Sequence, residues 1–351
     1  LSCRVVSAPE GRDTTPSHSA PARLSRKDLS LITVVGEALI DLISSESGTY
    51  RSVPGGAPAN TAVALARLGV PSSLLARMST DRFGQQLRAY VGSRGVSTRD
   101  IVVSDEPTTL AIATLDETGR ATYDFYVKGT VDWQWRPEEL PDPLADDVTA
   151  IHVGSLAMAM PPGAAVVEEW VARQRGRAVI SYDPNIRPAL AGTPASARER
   201  VERQVALADL VKVSDEDVYW LYEQDPATGS ADLLVEVGRS WLRRGPSLIT
   251  ITCGGDQTLV LVRGREDRPL SVAPEPVDVV DSIGAGDAFC AGLLDALGQA
   301  GALGADGRER LAALTDAQLT VCVAHAHRVA AHTCRRVGAD PGELDFPPLE
   351  F

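Results

Sequence analysis

The chain has 351 residues, 44% of them hydrophobic, and a formal net charge of -13; that is enough for one large α/β domain or two ordinary ones with a real core. Its only lysines are Lys27, Lys128 and Lys212, so there is no basic stripe to neutralise a nucleic-acid backbone. Five cysteines (Cys3, Cys253, Cys290, Cys322, Cys334), scattered and without C-x-x-C spacing, argue against a disulfide framework or zinc site and suit a reducing cytoplasm, and no apolar run is long enough to span a membrane.

Residues 1 to about 30 are rich in Ser, Pro, Ala and Arg without periodicity and read as a disordered tail. They lack the apolar core of a signal peptide, and the opening Leu in place of Met fits a misplaced start site or a cloning remnant as well as a functional arm. Folding is expected to begin with the strand Leu31-Ile-Thr-Val-Val, which passes Gly36 and ends near Asp41. A carboxylate there can accept two hydrogen bonds from a vicinal diol, although a strand-end Asp in a turn fits equally well. Pro54-Gly-Gly-Ala-Pro-Ala-Asn60 then leads into a helix through Leu68 that stops at Gly69. The paired glycines let the backbone lie against a ligand, and Asn60 offers hydroxyls both a donor and an acceptor.

A strand is expected near Ser73 to Arg77, and Thr108 to Val127 alternates around Glu117-Thr-Gly119 as a β-hairpin. Ala150 to Gly154 and Ala178 to Asp183 are buried-type strands separated by a helix from Gly163 to Arg175, the alternation of a parallel sheet covered on both faces. His152 in the first of these is read as a satisfied core histidine. Asp183-Pro-Asn-Ile-Arg187 follows at a strand's C-terminal end, the edge where open α/β sheets gather ligands. Asp209 to Asp217 is another strand ending in acids, and Ser247 to Asp256 runs into a glycine turn. Gly301 to Gly307 is a Gly- and Ala-rich insertion, and a helix from Leu314 to Cys334 closes the fold. Of its histidines only His325 and His332 share a face, with no carboxylate beside them, so solvated or nucleotide-adjacent side chains are expected rather than a metal site.

Val277 to Asp295 carries the chemistry. Val277, Val279 and Val280 supply strand character, Gly284 and Gly286 allow close backbone approach, and Ala285 to Leu297 is apolar at helical spacing. Amides at Gly284, Ala285 and Gly286 are expected to point outward unpaired at a helix N-terminus, where a phosphate can dock. Asp287 sits on the first turn, where the dipole keeps it ionised and able to accept a hydroxyl proton. An Asp that only caps the helix would show the same G-x-G-D spacing.

The longer string, Asp281-Ser-Ile-Gly-Ala-Gly-Asp-Ala-Phe289, resembles the C-terminal signature D-[ST]-x-G-A-G-D-A-F of the ribokinase-like sugar kinases, the PfkB carbohydrate kinase family. The resemblance covers about residues 31 to 345. It implies a three-layer α/β/α fold with a mainly parallel central sheet and a small β-strand lid from about 42–53 and 108–127. It also implies Asp287 as catalytic base, with Gly284, Ala285 and Gly286 forming the hole that receives the transferring phosphate. Gly36-Glu-Ala-Leu-Ile-Asp41 is similar to the opening motif, especially of fructokinases, and Pro54 to Asn60 matches G-G-x-x-x-N, which makes Asp41, Gly55, Gly56 and Asn60 sugar contacts. Asp81-Arg-Phe-Gly84 resembles the D-x-F-G turn, with Ser79 where a Gly is usual.

Asp183 to Arg187 resembles D-x-N-x-R, implying Asn185 as a substrate contact and Arg187 as part of the catalytic machinery near the phosphates. Ser214-Asp-Glu-Asp217 stands where N-x-x-E holds the waters around Mg²⁺, which gives Asp217 that role. Ser214, Thr252, Gly254 and Gly255 are the implied nucleotide contacts, with Gln257 replacing the last Gly of T-x-G-x-x-G. Main-chain oxygens around Asp281, Ile283, Thr333, Arg336 and Gly338 correspond to a potassium site. Val127 lies where the resemblance would place an arginine in kinases of acidic keto-sugars, with neighbouring Lys128 as a partial substitute; the change favours a neutral sugar.

The resemblance therefore implies a cytoplasmic kinase using ATP and Mg²⁺, with K⁺ as a further ion, that converts D-fructose to fructose 6-phosphate. A 2-keto-3-deoxygluconate kinase, a ribokinase or nucleoside kinase, and a catalytically silent sugar-binding regulator are the alternatives. Neither nucleic acid nor membrane is an expected partner, and lid strands that pair between subunits in the family leave a homodimer open.

Overall fold

Runs of β-branched and apolar residues become strands wherever both faces can be covered. In the computed structural model, residues 31–351 are described apart from 45–47, 116–120 and 227–228; the expected N-terminal tail and the Glu117-Thr-Gly119 turn lie outside the described residues. The strands in chain order are β1 (Leu31–Val35), β2 (Leu39–Ser44), β3 (Tyr50–Gly55), β4 (Ser72–Leu75), β5 (Arg77–Ser79), β6 (Val102–Ser104) and β7 (Leu110–Leu115). They continue with β8 (Ala121–Tyr126), β9 (Val148–Gly154), β10 (Val179–Asp183), β11 (Leu210–Ser214), β12 (Leu248–Cys253), β13 (Gln257–Val262) and β14 (Leu270–Val272).

Eight of these form one sheet in the order β14-β13-β12-β11-β10-β9-β1-β4. The run from β4 to β12 is parallel, and β13 and β14 turn back antiparallel at one edge. Helices cover both faces. Against one lie α1 (Ala57–Arg67) and α2 (Arg82–Ser93); against the other α3 (Gly163–Gln174), the single turn α4 (Pro188–Ala191), α5 (Pro194–Val205), α6 (Asp215–Leu221) and α7 (Ala231–Leu242). The first face also takes α8 (Ala285–Gln299), α9 (Gly307–Ala313) and α10 (Asp316–Cys334). Each layer has its own core, with Leu65, Phe289, Leu297 and Val329 on one side and Trp170, Trp241, Ile151 and Val213 on the other. This is the expected three-layer α/β/α architecture.

A second sheet, β3-β2-β7-β8, projects from the C-terminal edge of the large one. It pairs β2 with β7 in parallel and is otherwise antiparallel, so the expected hairpin joins the strands flanking Asp41 as the small β-strand lid. Its root is stapled by a buried acid. Asp132 accepts the Ala38 N–H at 3.0 Å and the Thr109 hydroxyl at 2.6 Å, which ties the start of β2 and the start of β7 to the segment that follows β8.

The strand expected over Val277 to Val280 does not form. Residues 273–280 are irregular and Val279 and Val280 are exposed; Pro274 and Pro276 lack the amide donors that would let β14 continue into the segment. The segment is held instead by Val280 and Asp281 amides donating to the Cys334 carbonyl, at 2.8 and 3.2 Å.

Candidate active site

Six parallel strands end along one edge, so the residues after them converge. Gly154 faces Asp183 across β9–β10 and Ser214 faces Thr252 across β11–β12. The start of α8 is brought over this edge, and the corner it makes is defined by one long-range contact: Asn60 Nδ2 donates to Asp287 Oδ2 at 2.9 Å, across 227 residues of chain. Thr61 Oγ1 also donates to the Asp287 carbonyl at 3.4 Å. The two motifs that sequence analysis kept apart are therefore one constellation, with α1 presenting an amide to the carboxylate on the first turn of α8.

Burial raises the Asp287 pKa to about 6; the Asn60 hydrogen bond opposes this, Asp183 adds to it, and Lys212 and Arg187 oppose it. Desolvation, which the position on the first turn of a helix does not reveal, is the largest influence on this group. The carboxylate is still mostly ionised at neutral pH.

Gly284 is left-handed, with φ of 78°, and caps α8. A Cβ there would sit 2.7 Å from Ala339 Cα, so the turn is moulded against the chain's C-terminal segment. One expectation is corrected here. The Ala285 amide is not free but donates to the Ser282 carbonyl at 3.2 Å, closing the turn. The Gly284 and Gly286 amides make no bond among the described residues.

Asp41 lies on β2 opposite Val53. A Cβ at Gly55 would overlap its carboxylate, and one at Gly56, where φ is 102°, would press to 2.6 Å from the Glu37 carbonyl. Gly55 makes room for the half-buried Asp41 carboxylate and Gly56 for the Glu37 backbone, reasons that composition could not supply. Burial raises the Asp41 pKa to about 6 against the pull of Arg187.

Arg187 and Asn185 are bound to each other. Nη1 of the arginine donates to Asn185 Oδ1 at 2.7 Å and to the Asn185 and Ile186 carbonyls at 3.3 Å, while Asn185 takes a positive φ of 39°. Asp217 accepts the Ile186 N–H at 3.0 Å and is raised to about 6 by burial, with Asp183 adding to the shift. The Ser214 hydroxyl accepts the Asp217 amide as the cap of α6. Thr252 is the penultimate residue of β12, and Gly254 and Gly255 lie in the hairpin turn to β13 with open space around them.

Asp281 is a clamp, its carboxylate accepting the Ile283 and Gly338 amides at 3.0 and 2.8 Å. Thr333 accepts the Arg336 amide through its carbonyl at 3.0 Å. The segments around Asp281 and Gly338 thus meet beside the α8 N-terminus.

Among the histidines, His152 is a satisfied core residue, bonded to Ser181 Oγ at 2.9 Å and lowered to about 4 by burial. His325 overturns its expectation. It is fully buried and its Nε2 meets Asp295 Oδ2 at 2.8 Å, a partner on α8 that spacing within α10 cannot reveal. His327 is also engaged, with Thr258 Oγ1 at 2.8 Å.

Fold and site together define a phosphotransferase acting on a sugar hydroxyl. Residues 29–345 match the pfkB family carbohydrate kinases, and the chain belongs to that family. It is 35% identical to the fructokinase of Rhizobium leguminosarum bv. trifolii over 271 residues, covering 76% of this chain and 79% of that one. The fructokinase of Xylella fastidiosa, solved with bound ATP, superposes with a TM-score of 0.78 at 29% identity, over 88% of this chain and 94% of the other. A double mutant of the Vibrio cholerae O395 fructokinase, bound to fructose, ADP and potassium ion, superposes with a TM-score of 0.75 at 28% identity, over 89% and 94%.

Proposed function

We propose that the chain transfers the γ-phosphate of ATP to the 6-hydroxyl of fructose, with Asp287 as the base. The Asn60–Asp287 contact carries this reading, because it places the sugar-motif amide and the signature carboxylate in one corner. Asn60 occupies Oδ2 and leaves Oδ1 to take a proton. The O6–H proton passes to Oδ1, the O6 lone pair forms the bond to γ-phosphorus, and the bond from phosphorus to the β,γ-bridging oxygen breaks with its electron pair leaving on ADP. Asp287 then returns the proton to solvent. The free Gly284 and Gly286 amides and Arg187 meet the charge on the moving phosphoryl group.

Asp41, Gly55, Gly56, Asn60 and Asn185 hold the sugar, and Ser214, Thr252, Gly254 and Gly255 border the nucleotide. Among the described residues no three His, Cys, Asp or Glu side chains converge as a metal cage, so a divalent ion here would take most ligands from phosphate and water. Asp217, with one oxygen spent on Ile186, fits a water-mediated contact to Mg²⁺, which would neutralise phosphate charge. The clamp formed by Asp281, Ile283, Thr333, Arg336 and Gly338 is the proposed potassium site. The names of the similar proteins and the fructose, ADP and potassium in one of them support the substrate and ion assignments. Exposed Lys128 beside Val127 offers no buried cation for a sugar acid, in keeping with a neutral sugar.

The test is a coupled assay over neutral and acidic sugars with wild type and Asp287→Asn. Fructose is expected to be turned over best, with kcat reduced about 10²- to 10⁴-fold in the variant while sugar still binds. Turnover of another sugar class would displace fructose, and near-normal turnover by the variant would remove Asp287 from the base role.

A further inference from the structure

Lys212 lies within β11, in the otherwise apolar run Leu210-Val211-Lys212-Val213, and its side chain is 7% exposed. Its Nζ meets Asp183 Oδ2 at 3.0 Å, and that carboxylate is itself 5% exposed. An ammonium in such a place needs a partner, and Asp183 is built to be one. Its Oδ1 also accepts the Asn185 amide at 3.2 Å, and the Cys290 thiol donates to its Oδ2 at 3.5 Å. The pair thus touches both the loop that carries Arg187 and the helix that carries Asp287.

Gly286 shows where the ammonium is aimed. It is inside α8 and has no positive φ to explain a glycine, yet a Cβ there would meet Lys212 Nζ at 3.1 Å and nothing else nearby. The glycine leaves room for the charge directly beneath the turn whose amides face the reacting phosphate. The chain has no lysine following a glycine and so no P-loop lysine; its buried lysine arrives from the sheet below.

We infer that Lys212, fixed by Asp183 under Gly286, is a positioning residue for the phosphoryl transfer: the pair sets the electrostatic potential at the Gly286–Asp287 corner and so the readiness of the base. The inference rests on the assignment of Asp287 as base. The charged and titratable groups facing Asp287 are Asp183 from β10, Lys212 from β11, Arg187 from the loop after β10, and Cys290 from its own helix, with Asp217 of α6 beside the pair. Burial works against the Lys212 ammonium, but Asp183 and the neighbouring Cys290 and Asp217 hold its pKa above the usual value, so it remains charged throughout the working range.

The two members of the pair carry opposite charge and so push Asp287 in opposite directions, an effect on the pH profile that a packing role alone would not produce. In Asp183→Asn the isosteric amide still accepts a hydrogen bond from Lys212, and Asp217 remains beside the ammonium. The acid limb of the kcat/KM profile, measured with ATP and the sugar wild type turns over, is expected to move to lower pH by about one unit. In Lys212→Met it is expected to move up by a similar amount, with kcat reduced about tenfold or more and sugar KM little changed; Lys212→Arg, which keeps the charge, should restore the limb. Thermal unfolding and ADP binding certify each fold, and Asp183→Asn decides the sign by itself if Lys212→Met does not fold. Shifts in the same direction for both variants, or no shift in Asp183→Asn, would overturn the inference. Should Asp287→Asn retain turnover, the base assignment fails instead, so the two failures are distinguishable.

Discussion

Asn60 was legible as a polar group near a ligand but not as the partner of the base. Its amide has two N–H groups and one carbonyl, so it can donate to Asp287 and still meet a sugar hydroxyl. Asn60→Ala removes the donor from the carboxylate's Oδ2 while burial stays, so the Asp287 pKa should rise further above about 6. With Asp287 as the proposed base, active when ionised, kcat/KM in wild type should fall as pH drops through about 6, and in Asn60→Ala the fall should begin at higher pH. A pH–rate profile for both proteins checks this, and coincident acid limbs would separate Asn60 from the base. Gly286 carries a second lesson at this scale. Its motif position was recognised, but the reason for a glycine was a lysine seventy-odd residues earlier, and no local pattern records a contact of that kind.

At the scale of elements, the parallel strands, the hairpin of the small sheet and the closing helix were readable from periodicity, because burial on one face or two imposes period and composition directly. The segment before Asp281 was not, since its valines promised a strand while Pro274 and Pro276 had already withdrawn the donors. The pairing of His325 with Asp295 was hidden for a related reason, as helix–helix partners obey packing and not spacing within one helix. The root of the small sheet is similarly non-local. Asp132→Ala should leave the Ala38 amide and the Thr109 hydroxyl buried without their acceptor, at a cost of about 2 kcal/mol in a urea titration. An unchanged midpoint would show that water replaces the carboxylate there.

For the whole molecule, the large sheet with its two cores and the small sheet differ in what covers them. β9 to β12 are buried on both faces, whereas Tyr50 and Tyr126 on the outer strands of the small sheet are exposed. Opening therefore costs least in the small sheet. If it closes over the sugar to exclude water, adding fructose with ADP should slow amide exchange in β2, β3, β7 and β8 and leave β9 to β12 almost unchanged. Equal protection everywhere, or none in the small sheet, would remove its role as a lid.

The corner that holds the base has a consequence for synthesis. Asn60 emerges from the ribosome long before Asp287, and Gly284 is moulded by Ala339, which comes later still. An N-terminal fragment that stops before α8 lacks Asp287 and the Gly284 turn on which the proposed transfer depends. On that proposal a half-made chain does not squander nucleotide, and transfer waits for the last segment to seat against Gly284.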